Sequence, residues 1–124
     1  MANKLPRRDS QTDNESRVTT SRAVVMTTVA SLEDARELAT AVLDARLVAA
    51  VQMLSVNSLY TWKGARVDAT EVLLILITRE ALYERLQTTI SSLHKYETPE
   101  IVILPIGAGL PAYLNWIDEV TESA

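Results

Sequence analysis

From Val48 to Trp62 the chain runs for fifteen residues in β-rich composition without a helical period. Lys63-Gly64 follows, and then a second β-rich run from Arg66 to Thr78. Two such runs joined through a Lys-Gly pair, whose glycine is able to take positive φ, read as a hairpin with a tight turn. Fifteen extended residues span about 50 Å at ~3.3 Å each, whereas a domain of ~100 residues is only about 30–35 Å across. A hairpin that long must bend sharply or reach a neighbouring molecule. Within its second strand, Val72 to Ile77 is apolar with no alternation, the pattern of a strand covered on both faces.

The elements around the hairpin complete the order. Ala23 to Val29 is a β-rich run ending at Ala30-Ser31, and Ser31 with Asp34 three residues on resembles a capping box. Leu32, Ala35, Leu38, Ala39, Val42 and Leu43 then recur at helical spacing, which predicts an amphipathic helix over about 31–45. Helical spacing returns at Leu82, Leu86, Ile90 and Leu93. Thr98 to Pro105 reads as a strand bracketed by prolines, and Pro111 opens a last helix carrying Tyr113, Leu114, Ile117 and Val120. The order β-α-β-β-α-β-α contains the split βαβ, ferredoxin-like arrangement with one additional C-terminal helix, an α+β sandwich with helices on one face of a four-stranded antiparallel sheet. Such a sheet has a bare face, yet its strands are apolar on both sides. The expectation is therefore a homo-oligomer that covers it.

Composition narrows the function. The 124 residues include no cysteine, which excludes disulfides, zinc-thiolate and iron–sulfur sites and a cysteine nucleophile, and which suits a reducing, cytoplasmic setting. Residues 1–22 carry a net charge of +2, leaving −6 for the remainder against −4 overall, so the body has no field to attract nucleic acid. Residues 1–21 hold too little apolar surface to offset the entropy of ordering, and the expectation is a disordered tail before a domain of 22–124. No apolar run is long enough to span a membrane. The inner strands present Leu73-Leu74-Ile75-Leu76 and Val24-Val25-Met26 where an RNA-recognition domain would place stacking aromatics. The loop Thr27 to Ser31 has neither the thiolates of a metallochaperone nor the arginine cradle of an acylphosphatase.

Ser58-Leu-Tyr-Thr-Trp-Lys-Gly64, Glu71-Val72 and His94-Lys-Tyr-Glu-Thr-Pro-Glu100, followed by Ile-Val-Ile-Leu-Pro105, resemble the signature segments of the CutA divalent-cation tolerance proteins. Ala41-Val-Leu43, Leu47 to Val51 and Tyr113 to Ile117 support the match, which covers about residues 23–120. The resemblance implies a ferredoxin-like trimer whose long hairpins cross subunit boundaries, a non-enzymatic role in tolerance of divalent metals such as copper, and no nucleic-acid or membrane partner. It also implies a metal-ligand set of one cysteine and two adjacent histidines in some members. Here Thr27 stands in the cysteine position and Leu93 in that of the first histidine, so His94 alone remains as a metal-ligand candidate. Ala50 likewise replaces a frequent cysteine, and Ile77 a frequent lysine.

A single imidazole makes a poor copper or zinc site, since these ions take three or four suitable ligands. His94 reads first as a hydrogen-bonded group near a helix end and second as a ligand, and Met26 and Met53 read as core rather than copper ligands. Tyr60, Trp62, Glu71, Tyr96, Thr98 and Glu100 form the second candidate set. They read either as packing anchors of the hairpin or as the lining of a cleft between subunits that binds a small ligand or cation through oxygen atoms. Two function classes follow: a non-enzymatic metal-tolerance trimer, or a small-ligand sensor with the architecture of the PII-like signalling trimers. No nucleophile–base pair supports an enzyme.

Overall fold

The computed structural model describes residues 21–123; the tail expectation over 1–21, apart from Ser21, falls outside them. The elements are β1 (Arg22–Val29), α1 (Leu32–Asp44), β2 (Ala50–Trp62), β3 (Ala65–Arg79), a 3-10 turn (Glu80–Leu82), α2 (Tyr83–Leu93), β4 (Val102–Pro105) and α3 (Pro111–Val120). The strands form one antiparallel sheet in the order β2-β3-β1-β4. This is the ferredoxin-like topology expected from the element order.

Local chemistry explains the boundaries. The Ser31 hydroxyl accepts the Asp34 N–H at 3.1 Å and starts α1. At the other end Arg46 takes a left-handed φ of 58°. The Leu47 and Arg46 N–H groups then reach back to the carbonyls of Val42 and Leu43, a Schellman closure made without the usual glycine. Lys63 and Gly64 have φ of 51° and 81°, the two positive values of a type I′ turn, whose twist matches the strands it joins.

One face of the sheet carries α1 and α2. The inward residues of β1 alternate strictly, with Ala23, Val25, Thr27 and Val29 buried. They meet Val72, Leu74 and Leu76 of β3 through the register Val25↔Leu76, Thr27↔Leu74 and Val29↔Val72. Leu38 and Val42 of α1 and Leu86 and Ile90 of α2 close this core. The opposite face is apolar too. α3 covers one end of it, where Asp118 accepts from the Arg22 guanidinium at 3.1 Å, Arg79 bonds Thr121, and Ile117 is fully buried. Beyond α3, Leu54, Val102 and Leu104 stay 45–48% exposed, beside half-buried Met26, Leu73 and Ile75.

β2 and β3 pair from Ala50↔Ile77 to Trp62↔Ala65 without a break. β1 pairs only with residues 72–79 of β3. Among the described residues, 65–71 therefore continue past the sheet with β2 as their sole pairing strand, a two-stranded ribbon overhanging by roughly 20 Å. An isolated ribbon of this kind is marginal in water. The fourth strand is shorter than the prolines suggest: β1 offers it partners only from Ala23 to Met26, so residues 98–101 form part of the connection from α2.

Candidate functional site

That connection crosses beyond the end of β1 and runs beside the root of the overhanging ribbon. His94 ends α2, taking extended backbone (φ −75°, ψ 141°) while its N–H bonds the Ile90 carbonyl. Its ring then organises the turn. Nδ1 accepts the Tyr96 N–H at 3.2 Å, so Nε2 carries the proton and donates to the Thr28 carbonyl at 2.8 Å. Both ring nitrogens are thus engaged by backbone. The ring also packs on Tyr96 at 4.9 Å between centroids, and this packing directs the Tyr96 phenol toward β3.

There the phenol donates to Glu71 Oε2 at 2.7 Å. Glu71 is only 5% exposed, although its neighbour in the chain, Thr70, is exposed. Burial raises the Tyr96 pKa above its ordinary value, and the Glu71 hydrogen bond and charge raise it further. Around this pair lies a cleft of about 710 Å³. Tyr60 and Trp62 of β2 form one side, Glu71 and Thr28 the floor strands, and Tyr96, Thr98 and Glu100 the side contributed by the connection. All six residues singled out as a cleft in the sequence line this one space.

The lysines at the rim are committed elsewhere. Lys95 Nζ pairs with Asp34 Oδ1 at 2.6 Å and holds that carboxyl below its usual value, while Lys95 itself is raised. Lys63 Nζ lies 3.3 Å from Glu97 Oε1 and 5.4 Å from the Trp62 ring centroid. Sequence reasoning did not single out Thr28, Lys95 or Glu97. Only the position of Thr28 at the end of the first strand, next to the connection, hinted at it.

The residues do not fit a copper centre. The chain has one imidazole, already bonded through both nitrogens, and no thiolate. Among the described residues no group of three or more His, Asp or Glu side chains stands close enough to hold a metal ion. Met53 packs against the core below α1 and α2.

The sequence matches the family described as CutA1 divalent ion tolerance protein over residues 23–120. The chain belongs to this family. The divalent-cation tolerance protein CutA of Thermus thermophilus is 40% identical over 79% of this chain and 96% of its own length. Protein CutA of Mus musculus is 40% identical over 72% of this chain, which spans about half (51%) of that relative's length. The CutA1 crystal structure from Oryza sativa superposes with a TM-score of 0.82 at 33% identity, covering 86% of this chain and 99% of that one. Family names point to different compartments, a chloroplastic protein in Arabidopsis thaliana and a periplasmic one in Archaeoglobus fulgidus. Among the described residues of this CutA-family chain, no helix is long and apolar enough to cross a membrane.

Proposed function

We propose that this chain acts in tolerance of divalent metal ions, copper among them, as a non-enzymatic cytoplasmic homotrimer. The observation that carries the reading is family membership across nearly the whole described domain. Assembly is supported by the apolar face and the overhanging ribbon that the described residues leave uncovered, since neighbouring subunits would bury both. Metal enters this reading as the condition the protein responds to. The donor set around His94 would have to break a backbone hydrogen bond before it coordinated anything.

A second reading, ligand sensing at the cleft in the manner of the PII-like trimers, is favoured by one observation. A volume of about 710 Å³ falls within the roughly 300–1,000 Å³ of small-molecule sites, and it is walled by aromatic rings and carboxylates.

Calorimetric titration of copper(II) into the full chain and into His94→Ala separates the two. The first reading expects weak binding that is lost with the imidazole. Nanomolar affinity that survives the substitution would remove His94 from the account and place the metal at Glu71 and Glu100. Sedimentation of a well-folded monomer at micromolar concentration would end the trimer reading.

A further inference from the structure

We propose that the hairpin cleft binds an organic ammonium ion, with the Glu71 carboxylate as its counter-charge and the rings of Tyr60, Trp62 and Tyr96 as its walls. The proposal rests on the reading of this cleft as a ligand site and names the chemistry of its ligand.

Glu71 carries the argument. A carboxylate withdrawn from water needs a cation or several donors to compensate its lost hydration, and among the described residues Glu71, at 5% exposure, has a single neutral donor, the Tyr96 hydroxyl. Among the described residues no lysine, arginine or histidine forms an ion pair with it. The two lysines of the rim are bound to Asp34 and Glu97 instead. The Tyr96 phenol retains its proton and donates it, so it fixes the carboxylate as an acceptor without neutralising it.

The surroundings select the kind of cation. A bare divalent ion wants six or more oxygen ligands, or three to four nitrogen and sulfur ones, and only one buried carboxylate is supplied. Aromatic faces beside a carboxylate instead match an alkylammonium, whose diffuse charge the ring quadrupoles attract and whose methylenes they cover. The Trp62 ring already has one ammonium nearby, the Lys63 Nζ. The same cationic chemistry could come from a lysine or arginine of a second copy of this chain, and the experiment separates that source from a free ligand.

The test follows Trp62 fluorescence in the full chain carrying Trp116→Phe, which leaves one indole. Choline and tetramethylammonium are titrated at constant ionic strength beside the uncharged carbon isostere of choline, inorganic phosphate and copper(II). The expected result is saturable quenching by both ammonium ions, about tenfold or more tighter than by the isostere, and weakened about tenfold or more in Glu71→Gln. The comparison between ammonium and isostere needs no variant, so it stands even if Glu71→Gln folds poorly. Equal binding of the isostere would overturn the proposal. Saturable quenching by phosphate or copper(II) with the ammonium ions silent would also overturn it while leaving the cleft as a ligand site. Silence of every probe would remove both. If the ammonium ions are silent and Glu71→Gln dissociates the assembly, a second copy supplies the cation and the free-ligand assignment is wrong.

Discussion

Two threonines are fully buried on neighbouring strands and should respond in opposite ways to the same substitution. Thr27 lies on β1 opposite Leu74, at 0% exposure, and its hydroxyl has no hydrogen-bond partner among the described residues. Thr78 lies on β3 opposite Ala23, equally buried, and its hydroxyl donates to the Leu47 carbonyl at 2.6 Å. Valine has the same branching at Cβ and almost the same volume, so Thr→Val replaces the hydroxyl by a methyl with little change of rotamer or packing. At Thr27 the change removes a desolvated, unpaired hydroxyl, whose burial costs about 1–3 kcal/mol, and adds a methyl to the core. Thr27→Val should therefore gain about 1–2 kcal/mol, equivalent to a rise of roughly 4–8 °C per kcal/mol for a domain near this size. At Thr78 the change deletes a short hydrogen bond and strands the Leu47 carbonyl, so Thr78→Val should lose about 1–3 kcal/mol. Urea unfolding followed by far-UV circular dichroism measures both, at one protein concentration because the apparent stability of an oligomer depends on it. A neutral or destabilising Thr27→Val would mean that the hydroxyl has a partner such as an ordered water. Two variants shifting in the same direction would defeat the reasoning altogether.

Leu74 and Ile75 are adjacent in sequence but face opposite layers. Leu74→Asp should cost more than about 4 kcal/mol and leave no folded protein by circular dichroism. Ile75→Asp should keep native secondary structure and sediment as a smaller species, and retention of the full assembly would count against a subunit on that face. Tyr96, whose pKa is raised in the folded chain, keeps its proton there while the unfolded chain loses its own near the ordinary value of 10.0. This contribution is whole below that pH and declines as pH rises above it, so the stability advantage of wild type over Tyr96→Phe should shrink in alkaline unfolding curves. Parallel curves across that range would be the contrary result. Arg46→Gly, at the left-handed C-terminus of α1, should stabilise by about 0.5–1 kcal/mol in the same urea assay, since the backbone bonds there do not use its side chain.

Periodicity and punctuation made the element order legible, because both are properties of neighbours in the chain. Ser31 caps α1, Lys63-Gly64 turns the hairpin and the unalternated Val72–Ile77 run marks a strand that is apolar on both faces, all from contacts or conformations within a few residues. Arg46 shows the limit of that logic: a helix end closed without glycine leaves no local signal. Motif resemblance brought Glu71, Tyr96 and the hairpin aromatics into one set, but their arrangement is a matter of long-range pairing. The register that lets β3 outrun β1 leaves room at the ribbon's root. The bonds from His94 to Thr28 and Tyr96 then bring residue 96 back onto residue 71. The burial of Glu71 follows from that closure and not from its own flanking residues, so whether it is a solvated surface acid or a buried one was decided only by the tertiary structure.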